Sequence, residues 1–359
     1  MTIFDSDREF YEVWDTDFCI VSYNFCHKAE VLFEWAQIVI IDEAHNFKGT
    51  STIRSQGVHK LVYENSPESC LQLTGTPIVN RVHEFYSSIS ICKYAPWLEG
   101  KDDFLEKFPT YVDFADYFSY LNSYEIEVLN KKGKLVTVPI NKWTGIRNLP
   151  ELRKIVANHY IQFDTDKVLG LPEYQIIDIP VSYKDNPKLE QAFQTFLDED
   201  SGVGPTIKAQ AALAKTKFTV DFVKDKFSED RPVVIFTDHV EACEAIAEAL
   251  GVRAISGSTP THIRDKTAED FMAGKTKRVV ATIGSFSTGN DLQIACDMVF
   301  NDPNWVPGNM EQAMYRIIRI GQKNRCRFYR IVGSVQDEKI YEVLFDKIET
   351  IKKVKAGIV

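Results

Sequence analysis

From Val233 onward, short apolar runs alternate with stretches of helical character. VVIFT (from Val233) is followed by DHVEACEAIAEAL, and VRAI leads through GSTP into THIRDKTAEDFMAG. RVVATI, MVFN and CRFYRIV follow as β-rich runs, separated by loops and by a predicted helix from Asn309 to Ile320. VQDEKIYEVLFDKIETIKKVK predicts an amphipathic closing helix. Unbroken apolar runs mark strands buried on both faces, and their alternation with helices predicts a parallel sheet covered by helices on each side.

The first half is different. IVII (from Ile38) and CLQL (from Cys70) read as strands of another parallel sheet, but only 41 residues precede Asp42. A βα unit takes roughly 30 residues or more, so this sheet is expected to be incomplete. From Lys93 to about Asp164 the chain turns aromatic and irregular, with FPTYVDFADYFSYLNSYEIEVL and a KKGK hairpin candidate. The expectation is an α/β protein of two parallel-sheet lobes. The first, residues 1–180, is incomplete and carries a helical insert over about 93–170; the second spans 181–359. DEDSGVGP near Gly202 reads as a flexible spot.

Composition narrows the function classes. With 44% hydrophobic and 12% aromatic residues, the 359-residue chain reads as packed globular protein. No run approaches a membrane span and the polar start is no signal peptide, so an intracellular, cytoplasmic protein is expected. Seven scattered cysteines without a CxxC pair suggest neither a disulfide framework nor a zinc site. A net charge of −9 speaks against a general polyanion binder, although backbone contacts in a local groove remain compatible with it.

Three stretches carry chemistry. Asp42 and Glu43 close the IVII strand, where open α/β sheets present ligand-binding groups. Adjacent carboxylates there suit one to magnesium and the other to orienting a water at a terminal phosphate. Alone, such a pair is as readily a cap or a solvated turn. LTGTPIVNR places Thr74, Gly75 and Thr76 after the next strand, either coupling elements or an ordinary strand-to-helix turn. In the helix predicted after Asn309, an Asn309–Gln312 capping box is expected. Gln312, Arg316 and Arg319 then fall on one polar face, a geometry suited to clamping phosphate oxygens. Gly274-Lys275-Thr276 imitates the end of a phosphate-binding loop, but Glu269 stands where its first glycine belongs, and the helix precedes rather than follows it.

In this order the segments resemble the Swi/Snf-type branch of superfamily 2 helicases, which are double-stranded-DNA translocases. IVSYN at Ile20, IDEAH at Ile41, LTGTPIVNR at Leu73, WTGIRNLPEL at Trp143 and VVIFTDH at Val233 carry the likeness. GSTPTHIRDKTAEDF at Gly257, STGNDLQIACDMVFNDPNWVP at Ser287 and QAMYRIIRIGQ at Gln312 complete it; RIGQ after QAxxRxxR is the most specific part. The resemblance implies two RecA-like lobes that couple ATP hydrolysis, at an inter-lobe cleft, to movement on double-stranded DNA. It implies ATP and magnesium as cofactors, Asp42 on the metal, Glu43 on the water, and Thr74 to Thr76 as coupling motif. Arg316 and Arg319 would be arginine fingers, with Gln312, Gly289 and Asp291 near the nucleotide. Tyr315 replaces the usual acidic residue, and HYIQF the usual paired arginines. The family's lysine loop and adenine-reading segment have no counterpart, so the isolated chain is expected to bind ATP poorly, with a separate polypeptide completing the first lobe. A split or truncated gene, of viral or phage origin among others, fits this. A non-catalytic DNA- or protein-binding remnant is the alternative; a DEAH-type RNA helicase is disfavoured by RIGQ.

Overall fold

The computed structural model describes residues 2–4, 17–28, 36–49, 52–65, 67–91, 107–129, 135–161, 168–181, 205–286, 291–304, 306–333 and 335–355. The chain forms two compact units, Met1–Gln162 with Glu349–Val359, and Phe163–Ile348.

In the first unit, β1 (Thr2–Phe4) pairs in parallel with β2 (Cys19–Val21), and β3 (Ile38–Ile41) with β4 (Ser69–Gln72). Helix α1 (Ile53–Asn65) connects β3 to β4, and α2 (Tyr86–Ile91) follows. Alternate β3 residues Val39 and Ile41 are buried in a core with Phe47, Val58, Val62 and Ile91. The other face is bare: Ile38, Ile40 and Leu71 are 64%, 61% and 52% exposed, which is unusual for parallel strands.

The segment expected as a helical insert is mixed in its described part. Helices α3 (Tyr111–Phe118) and α4 (Leu149–His159) flank a long antiparallel hairpin, β5 (Tyr120–Leu129) with β6 (Leu135–Thr144). Period-two alternation in Tyr124, Ile126 and Val128 favours the strand; the KKGK turn itself lies outside the described residues. Helix α3 starts at a capping box between Thr110 and Asp113. On its aromatic face Phe114 and Phe118 pack with ring centroids 4.7 Å apart at a tilt of 53°, in a core shared with Phe108, Leu152 and Val156. His83 is buried beside it, edge-on to Tyr111 and Trp143. Burial, reinforced by the Arg81 charge, pushes its pKa down to about 4.

The second unit contains one all-parallel sheet of six strands. These are β7 (Tyr174–Pro180), β8 (Val233–Thr237), β9 (Ala254–Ile255), β10 (Arg278–Thr282), β11 (Asp297–Phe300) and β12 (Cys326–Val332), in the order β7-β12-β11-β8-β10-β9. Val234, Phe236, Ala281, Met298 and Phe328 face one apolar layer, and Val233, Ile235, Val280, Val299 and Ile331 the other. That two-sided burial is why these strands read as unbroken apolar runs. Helices α5 (Pro205–Lys226), α6 (Val240–Ala249), α7 (Thr261–Met272), α8 (Pro307–Met314) and α9 (Val335–Lys355) complete the described helices.

Two boundaries differ from expectation. β7 pairs in register with β12, so residues 174–180, counted with the first lobe by a boundary at 180, belong to the second sheet. The last turns of α9 count with the first unit, where Val354 is buried beside Leu152 and Val156. Neither pairing is written in local pattern, since a strand's partner lies far away in sequence.

Helix α5 is tied down by a buried charge. Lys215, fully buried, donates from Nζ to Asp337 Oδ2 at 2.8 Å and to the Ile331 carbonyl at 3.3 Å. The same carboxylate oxygen accepts the Gly333 amide at 2.8 Å. Breaking such a pair from one side strands the other charge. Lys215→Ala is therefore expected to cost about 3–5 kcal/mol, whereas the joint replacement Lys215→Met with Asp337→Leu recovers most of it. Denaturant midpoints of the three proteins check this; equal midpoints for single and double variants would refute it.

His83 generates a second expectation. Its folded pKa lies below its unfolded value, so the unfolded chain takes up the proton first. Stability is full above about pH 6.5 and falls as pH drops toward 4, by up to about 3 kcal/mol. In His83→Gln this limb of the stability-versus-pH curve should flatten; an unchanged curve assigns the pH dependence to other groups.

Candidate active site

The β3–β4 ladder continues past the strands and sets two turns side by side. Leu73 N–H donates to the Ile41 carbonyl at 2.8 Å and Ala44 N–H to the Leu73 carbonyl at 2.9 Å. Asp42 and Glu43 thereby emerge next to Thr74, Gly75 and Thr76. Glu43 has φ 48° and ψ 51°, a left-handed conformation that costs a non-glycine residue free energy and persists only where surroundings impose it.

Those surroundings are visible. The Tyr23 hydroxyl donates to the Asp42 carbonyl at 2.7 Å and lies 3.3 Å from that of Glu43. Burial, then the nearby Cys26, Asp42 and Glu43, raise the phenol pKa beyond its ordinary range, so it stays a donor. Glu43 N–H donates back to Asp42 Oδ1 at 2.9 Å. His45 Nδ1 lies 3.2 Å from Glu43 Oε2 and 3.0 Å from Thr74 Oγ1. One imidazole nitrogen therefore touches both the carboxylate turn and the TGTP turn. Thr74 Oγ1 also accepts the Thr76 amide at 3.1 Å. Below, Phe47 is fully buried and anchors the 3₁₀ turn Ala44–Phe47. Sequence reasoning gave Tyr23 and His45 no role; the only signal for Tyr23 was its place in IVSYN.

In the second unit, the polar groups gather where β8 and β11 end. Asp302, buried, accepts from the Thr237 hydroxyl, from the Asp238 amide at 3.1 Å and from Asn301 Nδ2 at 3.0 Å, and meets His239 Nδ1 at 2.8 Å. Burial works to raise its pKa, but His239, the Lys215 charge and Thr237 hold it below the usual value. The same bond to Asp302 raises the pKa of His239 against its burial. From here Asp238 accepts Asn304 Nδ2 at 2.6 Å, and Asn304 Oδ1 accepts the Val306 amide at 2.9 Å, which fixes the entry to α8.

The helix predicted from Asn309 to Ile320 is shorter. It begins after Val306 with Pro307 in its first turn and ends at Met314. The expected Asn309–Gln312 capping box is absent, and Asn309 Nδ2 instead donates to Asn304 Oδ1 at 3.2 Å. Past Met314 the chain tightens into turns, with Arg316 N–H on the Ala313 carbonyl and Ile317 N–H on that of Met314. Ile317 and Ile318 are both buried, and Leu292 N–H captures the Arg316 carbonyl at 3.0 Å, so tertiary partners outcompete the helix. Arg316 and Arg319 thus leave a buried turn, not the face of one helix. Arg319 Nη1 forms an ion pair with Asp291 Oδ1. Gln322 staples the turn, donating to the carbonyls of Ala295 at 2.7 Å and Gln293 at 3.0 Å. Gln312 lies on α8; Gly289 is outside the described residues. Gly274, at φ 71°, follows the end of α7, and Lys275 pairs with Asp270 at 2.9 Å, a helix terminus and not a phosphate loop.

No group of three or more His, Cys, Asp or Glu side chains among the described residues could enclose a metal. Magnesium demands less, since one or two carboxylates suffice when water and phosphate supply the rest. Asp42, exposed and with one oxygen held by an amide, fits that demand.

Residues 6–154 match the SNF2-related domain, and residues 214–321 match the helicase conserved C-terminal domain. "DNA annealing helicase and endonuclease ZRANB3" of Mus musculus is 24% identical over 337 residues, 87% of this chain and 29% of the relative. "SWI/SNF-related matrix-associated actin-dependent regulator of chromatin subfamily A-like protein 1" of Xenopus tropicalis is 23% identical, covering 92% of this chain and 35% of the relative. "Uncharacterized ATP-dependent helicase YqhH" of Bacillus subtilis (strain 168) is 26% identical over 91% of this chain and 61% of the relative. The chain thus spans less than two thirds of each of these relatives. The two matched segments, in this order along the chain, place it among the superfamily 2 proteins. Within that superfamily, the chain belongs to the Swi/Snf-type family.

The Tyr23 contact generates a test. Tyr23→Phe is expected to destabilise the first unit by about 1 kcal/mol and to shift the amide resonances of Asp42 to Ala44 more than others. An unchanged unfolding midpoint with unmoved resonances would show that the hydroxyl holds nothing.

Proposed function

We propose that the chain is the motor part of a DNA-dependent ATPase that translocates on double-stranded DNA. The observation that carries this is His45, shared between Glu43 and Thr74. A group that touches both turns links the state of a hydrolytic carboxylate to a neighbouring element, as coupling of hydrolysis to movement requires. Glu43 then orients the attacking water, its carboxylate steered by His45 and its backbone by Tyr23. Asp42 holds magnesium, which when bound supplies charge neutralisation at the phosphates. Thr74, Gly75 and Thr76 transmit the state of the carboxylate turn.

Arg316 and Arg319 stabilise charge on the transferring phosphoryl group, with Gln312, Asp291 and Gly289 lining the nucleotide. The Arg319–Asp291 pair gives this a specific form: a phosphate must compete with Asp291 for the guanidinium, so Asp291 is a counter-ion that holds the arginine between turnovers. The bare apolar face of β3 and β4 supports the further reading that a separate polypeptide, carrying the phosphate-binding loop, covers this sheet and completes the first lobe.

The test is DNA-stimulated ATP hydrolysis by the full chain together with a loop-bearing polypeptide. Arg319→Ala is expected to reduce kcat by on the order of 10³ to 10⁵ with melting temperature nearly unchanged, and Arg319→Lys to rescue poorly. Glu43→Gln should abolish turnover while sparing nucleotide binding. Retained turnover in either Arg319→Ala or Glu43→Gln would remove the assigned role.

A further inference from the structure

The second sheet has another end, away from the turns described above. Where β7, β8, β11 and β12 begin, Gln175, Arg231, Cys296, Asn324, Arg325 and Arg327 line a cavity of about 350 Å³. Strands of four to five residues separate this edge from the carboxyl ends, a distance of roughly 13 Å at the rise of an extended chain. The cavity is therefore distinct from the Asp302 cluster and the arginine turn.

Asp297, fully buried at the start of β11, is held between two of the arginines. Arg231 donates to its Oδ2 from Nε at 2.7 Å and from Nη2 at 2.5 Å. Arg327 donates from Nε to Oδ1 at 2.7 Å and from Nη2 to Oδ2 at 3.0 Å. One guanidinium already neutralises one carboxylate, so the second is a surplus charge. Arg325 adds a third; it is exposed, and no hydrogen bond or ion pair to its side chain is seen among the described residues. Three cations against one buried anion make a local surplus in a chain whose net charge is −9.

The unused donors converge on the same space. Arg231 and Arg327 remain 40% and 38% exposed in their side chains, and each keeps its Nη1 group uncommitted to Asp297. The amides of Gln175 and Asn324 line the same wall. Burial raises the Cys296 thiol pKa, so the sulfur stays neutral and does not cancel the positive field. Planar guanidinium forks engage phosphate and carboxylate oxygens in pairs, and the cavity is within the range of small-ligand sites, about 300 to 1,000 Å³.

We propose that this cavity is a second anion site, which takes the phosphate group of a small ligand on Arg325, Arg231 and Arg327. A terminal phosphate enters a recess of this size, whereas a duplex presents its phosphates along a broad convex ridge. Asp297 acts as the buried counter-ion that keeps two guanidiniums side by side and aimed outward when no ligand is present.

The probe is inorganic pyrophosphate, titrated into the full chain at constant ionic strength and followed by calorimetry and thermal melting. Saturable binding with a rise in melting temperature is expected. It should weaken at least about tenfold in Arg325→Ala, vanish in Arg325→Glu, and persist in Arg319→Ala. Because Arg325 is exposed, its variants should melt like the parent without ligand. No saturable binding, or binding equally strong in Arg325→Ala, overturns the proposal. So does binding lost in Arg319→Ala, which would assign the anion to the arginine turn. A loss of duplex-DNA affinity in Arg325→Ala without pyrophosphate binding to the parent likewise overturns it, in favour of a nucleic-acid contact.

Discussion

Because every residue of β8 and β11 is buried, those strands are committed to packing, and the proposed site residues lie on the turns beyond their ends. Asp302 is where this constraint is met most directly. A fully desolvated carboxylate is tolerable only when its lone pairs are filled, and Thr237, Asp238, Asn301 and His239 fill them. In doing so they bind the end of β8 to the end of β11, and through Asn304 they set where α8 begins. The start of α8, which leads to the arginine turn, is thereby fixed by a buried anion.

The first unit meets the same constraint differently. Its Asp-Glu turn is held in a conformation Glu43 does not favour, by one phenol on the backbone and one imidazole on the side chain. Strain of this kind costs of order 1–3 kcal/mol and is retained where surroundings over-determine the geometry. Directing the Glu43 carboxylate toward His45 and Thr74 is the gain set against it. The aromatic cluster around Phe114 and Phe118 gives the same unit a second apolar core beside that of β3.

Charge is arranged by pairing rather than by overall sign. The protein is acidic, yet two of its arginine groupings each share a single acid: Arg319 with Asp291, and Arg231 and Arg327 with Asp297. In the first the acid is half-exposed and open to displacement. In the second it is buried and serves as a fixed anchor. A net charge of −9 conceals both, because local fields depend on which charges are neighbours and on how far they are removed from water.

The amino-acid sequence by itself determined the elements whose burial is two-sided or periodic. β8, β10, β11 and β12 were readable as apolar runs, and α6, α7 and α9 from their spacing, because local pattern and final environment agree there. The strand-end location of Asp42, Glu43 and Thr74 follows from the same runs. Tertiary structure alone decided the rest. β7 joined the second sheet through a partner about 150 residues away, and an insert expected to be helical acquired a hairpin. The helix expected to reach Ile320 stopped at Met314 because Leu292 captured a carbonyl and two adjacent isoleucines were both drawn inward. Tyr23, His45, Asp297 and Asp302 lie within motifs that the sequence displays, but nothing in those motifs states their contacts. Their importance rests on which polar groups are brought within about 3 Å of one another after the chain has folded, and spacing along the sequence does not encode that distance.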